Sequence, residues 1–393
     1  MLILPIHEAR AGAKLAMSVM HPKLRDQELL KAGFVLDDPI IGRLKSMEVQ
    51  QVFVEFPGLD DLDKYVAASF PPERRALFQQ AKNVIGANEK STQPVVRYSD
   101  YLDATRELIK SILSNPFAVM LDVLSTGTDE VAHATGVAHL SVVLGLKLDA
   151  YLIKERPRLS PTHAKDVGAL GVAAMLHDLG KTKLPPELRK FTSINPPANE
   201  TDRQAWEKHT QLGYDIIHGG IDAATAAAVL HHHQRFDGTG FPQLKRPDGS
   251  TLHFSGGQIH VFARIIGAAD LFERLAVAPD GKRRPNYQVL HWIQHSFAGW
   301  IDPEIFGVMP QVIPPFSPGR AVRLSDGTEA LVTGFQPFSP YQPLVKRFDR
   351  QTQKLQDETI DLRTGTLKIE ALDGAMLSEL EAFPLGSEKP LPA

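Results

Sequence analysis

Apolar residues fall along the chain in four successive rhythms. From residue 1 to about 66, short alternating runs such as LILPI and QQVFVEF are separated by glycines and charges, the period-two pattern of half-buried strands. Within that stretch, ELLKAGFVLDDPIIGRLKSM predicts a turn at Gly33 and then an amphipathic helix opened near Asp37 and Asp38, with Pro39 in its first turn. Residues 1–66 therefore read as a small α/β module. From 67 to 128 the apolar positions take helical spacing, as in YLDATRELIKSILSNPFAVMLDVL, which predicts a helical connector. Between 129 and 310 helical patterns alternate with Pro- and Gly-rich loops and β-type alternation is nearly absent, so an all-α domain is expected there. After PQVIPPFSPG the rhythm returns to short β-type runs, and Asp326-Gly327 between two alternating segments predicts a hairpin. Residues 311–393 are thus expected to form a small β appendage with a frayed Pro-rich end, EKPLPA, and the fold class as a whole to be mainly α.

Composition narrows what such a fold can do. With 43% hydrophobic and 23% charged residues the chain is expected to be compact rather than disordered. The formal charge of -3, with acids and bases mixed, gives no basic stripe and argues against duplex nucleic acid as a partner. Zero cysteines exclude disulfides, thiolate metal sites and cysteine nucleophiles, so a metal site must be built from His and carboxylates. No run approaches the roughly 20 apolar residues that span a bilayer, and a cytoplasmic location is expected. Thirteen of the fifteen histidines fall between residues 129 and 310, which directs attention to that region.

Five pieces of it carry chemistry. In AAMLHDLGKTKLPPEL, His177 and Asp178 end an apolar helical run and are followed by Gly180 and Lys181. Adjacent residues on a helix point about 100° apart, so both side chains can reach one ion, and the Lys181 ammonium suits a phosphate oxygen beside it. The same pair equally suits a helix cap with Gly180 as terminator. In HHHQRFDGTGFP, the rings of His231, His232 and His233 fan around a helix end and cannot all be core residues, because unpaired polar rings are costly to bury. Asp237, Gly238, Gly240 and Pro242 follow, and the glycines allow a sharp loop where a substrate could approach the backbone closely. WEKHTQLGYDII offers His209, and HVFARIIGAADLF places Asp270 after an almost wholly apolar helix, where a carboxylate needs a partner or a metal. Finally, TDEVAHATGVAHLSVVLGL puts Asp129 four residues before His133, on one helix face, with Glu130 able to take the part of Asp129.

Taken in order, these five pieces resemble the HD-GYP family of HD phosphohydrolases, over about residues 129–310. The resemblance implies bacterial cyclic di-GMP phosphodiesterase activity in signalling, with two or three divalent transition metal ions, iron foremost and manganese as an alternative. It implies ligands at His177, Asp178, His209, His232, His233 and Asp270, with His133 in addition and Asp129 where three-ion members carry a glutamate. Asp178 would bridge two ions and Lys181 would steady a substrate phosphate; the loop at Asp237, Gly240 and Phe241 would admit the nucleotide.

The chain also departs from the family pattern. The family's HHE reads His232-His233-Gln234 and its GYP reads Gly240-Phe241-Pro242, so a carboxylate and a phenol are missing. The Arg-Pro-Tyr run expected after Asp270 is replaced by RLAVAPDGKRRPNY, where Arg284 is the expected counterpart and a phosphate ligand, with Arg283 and Lys282 as alternatives. These departures bear on substrate and partner: cyclic GMP-AMP as substrate, or a weakly active module that binds cyclic dinucleotides or a diguanylate cyclase (GGDEF) protein, are the rival expectations.

Overall fold

The computed structural model describes residues 1–21, 28–59, 62–65, 72–90, 98–115, 117–120, 130–245, 248–349, 352 and 354–383. Asp129, residues 121–124 of the connector pattern and the EKPLPA end lie outside them.

Asp37 opens the first helix, its carboxylate accepting from the Ile40 N–H at 2.8 Å with Pro39 in the first turn. Helix α1 (Asp38–Ser46) buries Ile41 and Leu44 in the same core as the antiparallel pair β1 (Leu2–Pro5) and β2 (Gln51–Val54), whose register runs from Leu2 opposite Val54 to Pro5 opposite Gln51.

Two helices follow, α2 (Pro72–Lys90) and α3 (Tyr98–Leu113). The helical spacing that continues in the sequence toward Leu124 is not realised over the described residues beyond Leu113. Asn115 precedes Pro116, a position biased away from α geometry, and its side chain instead accepts from the Phe117 N–H at 3.0 Å. The Met120 N–H then donates to the Val312 carbonyl at 2.7 Å, tying the connector to the far end of the helical region.

That region consists of α4 (Glu130–Lys147), α5 (Gly168–Leu176), α6 (Glu200–Glu207), α7 (His209–Ile217), α8 (Ala223–His231), α9 (Val261–Ala276), α10 (Asn286–Ser296) and α11 (Pro303–Val312), with shorter helical turns between them. Helices α4, α5 and α9 are apolar on nearly every face and buried on nearly every face, which is why period alone could not orient them. Among the described residues no single helix is long and apolar enough to cross a membrane.

Six antiparallel strands close the chain: β3 (Ala321–Leu324), β4 (Glu329–Gly334), β5 (Leu344–Asp349), β6 (Lys354–Asp361), β7 (Ile369–Leu372) and β8 (Ala375–Met376), in the order β6-β5-β4-β3-β7-β8. Asp326-Gly327 makes the β3–β4 turn, with Gly327 at φ +81° and Asp326 Oδ1 accepting from the Thr328 N–H at 3.0 Å. The sheet has its own small core around Val322, Leu324, Val332 and Val345. Its Leu331 and Phe335, however, join the main core, which runs without interruption from Met1 and Leu2 through α2 and α3 into α4, α5 and α9.

Candidate metal centre

Three helices end at one point, and a histidine stands at each end. His177 is the C-cap of α5, His232 is the C-cap of α8, and His209 lies two residues past the last residue of α6. The last carbonyls of a helix have no intrahelical donor. Here each imidazole supplies one: Nδ1 lies 2.7 Å from the carbonyl three residues back, Ala174 for His177, Trp206 for His209 and Val229 for His232. A carbonyl can only accept, so Nδ1 carries the proton and Nε2 is left as a lone pair. Those Nε2 atoms are buried and make no hydrogen bond among the described residues. The C-terminal ends of α5 and α8, capped by His177 and His232, both lie at this point, a further preference for cations.

The lone pairs converge on Asp178. Its Oδ1 lies 3.4 Å from His209 Nε2 and 3.7 Å from His232 Nε2; its Oδ2 lies 3.4 Å from His177 Nε2 and 3.9 Å from His133 Nε2. Asp270 projects from the middle of α9, with Oδ1 3.0 Å from His133 Nε2 and Oδ2 3.8 Å from His233 Nδ1. Two ligand groups result, Asp178 with His209, His232 and His233, and Asp178 with His133, His177 and Asp270. Nitrogen and oxygen donors in two clusters joined by one carboxylate fit a pair of divalent ions, and the undonated Nε2 atoms are those such ions would satisfy.

Burial shapes the protonation of the set. It pushes His209 down to about 3 and lowers His133 and His233, keeping them neutral and able to ligate. Burial would also lower His177, but the adjacent Asp178 carboxylate outweighs it and raises this ring. For Asp178, burial alone would raise the carboxyl; Lys181 and His177 overcome it and hold the group well below the usual range. Asp270 is likewise held down against burial, by His133 and Arg274.

Lys181 is buried and donates to Asp178 Oδ2 at 2.7 Å, with Glu130 Oε2 at 3.7 Å. Two residues join the centre that the sequence reading did not name. Arg274, one turn after Asp270 on α9, donates to Asp178 Oδ2 at 2.7 Å and to Glu130 Oε2 at 3.1 Å, with Nε 3.4 Å from Asp270 Oδ1. Its i, i+4 spacing from Asp270 is a signal the sequence does carry. Ser193, in the loop before α6, donates to Asp270 Oδ2 at 3.1 Å, and nothing local in the sequence announces it. Glu130, weighed above as a substitute for Asp129, is present at the edge of the cluster through these contacts.

The expected substrate contacts fall out differently. Arg284 does not face the centre: Nη1 donates to the Leu275 and Val277 carbonyls at 2.7 and 3.0 Å, capping the end of α9, and the guanidinium lies over the Trp292 ring. Arg283 turns to Glu273 and Lys282 to Asp280. Asp237 organises its own loop, accepting from the Thr239 N–H at 2.9 Å while its N–H donates to the Gly299 carbonyl. At Gly240 a Cβ would lie 2.3 Å from the His233 carbonyl oxygen, so the glycine is required by the close pass of the loop over the ligand helix. The Phe241 ring packs on His233 and Trp206, with centroids 4.7 and 5.3 Å away, and so braces one ring of the histidine cluster. Gln234 is buried and its amide donates to the Pro242 carbonyl at 2.5 Å.

Clefts reach the centre from two sides. One, of about 550 Å³, is lined by Val84 and Ile85 of α2 together with Glu130, Asp178 and Lys181. The other, of about 460 Å³, is lined by Ser193, His233, Arg235, Phe241, Asp270 and Trp300, with the Arg235 guanidinium stacked 3.3 Å over the Trp300 ring.

Residues 154–305 match the family model described as HD domain. A cyclic di-GMP phosphodiesterase of Pseudomonas aeruginosa is 24% identical over 84% of this chain and 82% of its own length. The cyclic di-GMP phosphodiesterase response regulator RpfG of Xanthomonas campestris is 31% identical over 33% of this chain and 31% of its own. A 3'3'-cGAMP-specific phosphodiesterase of Vibrio cholerae is 27% identical over 36% of this chain and 28% of its own. The helical fold, the matched span and the buried His177–Asp178 pair agree in placing an HD domain within residues 154–305 of this chain.

Proposed function

We propose that this protein is a metal-dependent phosphodiesterase that hydrolyses cyclic di-GMP to linear pGpG, to GMP, or to both, in the bacterial cytoplasm. The observation that carries the reading is the trio of imidazoles whose Nδ1 atoms are spent on helix-end carbonyls, leaving three Nε2 lone pairs aimed at one bridging carboxylate. His133, His177, Asp178, His209, His232, His233 and Asp270 would hold two divalent ions, iron or manganese by donor type. Such ions supply Lewis acidity to a phosphate and lower the pKa of a water toward neutrality. The protein's own part is positioning. Lys181, held on Asp178 Oδ2 at the centre's edge, would steady a non-bridging phosphate oxygen, and Ser193 holds Asp270 through its hydrogen bond to Oδ2. Arg235, held flat on Trp300 at the wall of the second cleft, offers a planar donor to a phosphate or a guanine edge.

Cyclic GMP-AMP is a second substrate reading, favoured by the similarity to a cGAMP-specific relative and by Phe241 in place of tyrosine. Binding of a diguanylate cyclase through the altered loop is disfavoured, because Gln234 and Phe241, the two departures in that loop, both turn inward.

The test is anaerobic incubation of iron- or manganese-loaded protein with cyclic di-GMP and with 3'3'-cyclic GMP-AMP, separating products by chromatography and counting metal in the same sample. Release of pGpG or GMP with about two ions per chain, lost in Asp178→Ala, is expected. Full metal content with no turnover of either substrate would refute the reading.

A further inference from the structure

The two oxygens of Asp178 meet different neighbours. Oδ1, which faces His209 and His232, accepts no hydrogen bond among the described residues. Oδ2, which faces His177 and His133, already accepts from Lys181 Nζ and from Arg274 Nη2, each at 2.7 Å. Arg274 also stands 3.4 Å from Asp270 Oδ1, the second carboxylate oxygen of that same ligand group. Its guanidinium is held in place from outside by Glu130, at 3.1 and 3.5 Å. One ligand group is therefore all lone pairs, and the other shares its anionic oxygens with two fixed cations.

We propose, on the metal-centre reading above, that the two ion positions are unequal and that Arg274 makes them so. The ion held by Asp178, His209, His232 and His233 binds first and tightly. The ion held by His133, His177, Asp178 and Asp270 binds second and weakly, because Arg274 donates to Asp178 Oδ2, stands 3.4 Å from Asp270 Oδ1 and repels a divalent charge a few ångströms away. Arg274 is thus a regulating side chain: it makes the second ion exchangeable, and hydrolysis that needs both ions then follows the supply of free metal.

The experiment is anaerobic equilibrium dialysis of metal-stripped full-length protein against Mn²⁺, with bound ions per chain measured over a wide range of free Mn²⁺. Wild type should fill in two separated steps. His209→Ala should lose the tight step and keep the weak one; loss of the weak step instead would reverse the assignment and overturn it. Arg274→Met should tighten the weak step by about tenfold or more and leave the tight one unchanged, whereas Arg274→Lys, which keeps the charge, should restore the separation. A single step reaching two ions in wild type, or an unchanged or weakened second step in Arg274→Met, would refute the proposal. If Arg274→Met leaves Glu130 too poorly paired to fold, Glu130→Gln with Arg274→Met removes that strain and carries the same expectation. Wild type that takes up no Mn²⁺ at all would fail at the metal centre itself, a result separable from equal filling of the two positions.

Discussion

Gly180 is where the centre is most sensitive to a single added carbon. The 3-10 turn that carries Gly180 and Lys181 packs directly on the start of α7, and a Cβ at Gly180 would lie 1.9 Å from the His209 carbonyl oxygen and 2.5 Å from the Gly213 nitrogen. Both obstacles are backbone, so no side chain can swing aside. Recovering the 3.4 Å of an ordinary contact from 1.9 Å requires about 1.5 Å of separation between the Asp178 turn and the His209 helix. A working metal site tolerates about 0.2 Å in its ligand distances, several times less than that shift. Gly180→Ala should therefore weaken metal binding by about a hundredfold, at the upper end of what indirect disturbances of ligands produce, and cost about 1–3 kcal/mol of stability through overpacking. Isothermal titration of the stripped protein with Mn²⁺ and urea unfolding would read the two effects separately. Gly42→Ala, in the interior of α1 with nothing within 4 Å of its Cβ, is the matched control and should stabilise by about 0.5–1 kcal/mol. A Gly180→Ala protein that binds both ions as wild type does would show that the turn and α7 do not fix each other, and the reasoning would fail.

Arg284→Ala should destabilise by about 1–3 kcal/mol, since two helix-end carbonyls lose their donor, while KM and kcat stay unchanged; a raised KM would restore it as a substrate ligand. Metal-free protein should lose stability as pH falls from 7 to 5: His209 is pushed down to about 3 when folded against about 6.5 when unfolded, so the unfolded chain takes up the proton first, and this ring alone contributes a loss of about 2 kcal/mol by pH 5, added to by the lowered His139, His233 and His260 and partly opposed by the raised His177. Denaturant midpoints that do not move between those pH values would contradict a neutral, buried His209. Phe241→Tyr should leave metal content unchanged, whereas Phe241→Ala, by opening space beside His233 and Trp206, should cost about 2 kcal/mol and lower metal occupancy; equal occupancy in the two variants would remove its bracing role.

The sequence made the clustered histidines and aspartates legible because their surroundings are local. His177 and Asp270 each end or follow an apolar run in which a polar group has no ordinary reason to be, and three consecutive histidines cannot all hide. The residues that escaped are those whose meaning is tertiary. Ser193 reaches Asp270 across 77 positions of sequence, and no spacing rule encodes that. The position of Arg284 before Pro285 points it to the site, yet the turn between α9 and α10 folds it back onto the helix it follows. Arg274 was hidden differently: a basic residue in the last turn of a helix reads as a dipole partner, and only the packing of α9 against α4 shows that it ends among carboxylates. The run past Leu113 keeps helical spacing in the sequence, since period is blind to a single Asn-Pro break.

The three helix-capping imidazoles carry one more implication, about emptying and refilling. Each ring is anchored by its own helix terminus rather than by an ion, so the receptacle is finished by folding before anything enters it. Withdrawal of the ions should leave a folded chain whose coordinating rings hold their rotamers, and reloading should run at the speed of entry through the clefts rather than of refolding. It also constrains substitution. A cysteine or aspartate at position 177 or 232 could still donate an electron pair, but it would cost the Ala174 or Val229 carbonyl its imidazole donor, so at these places histidine would serve the fold as much as a metal.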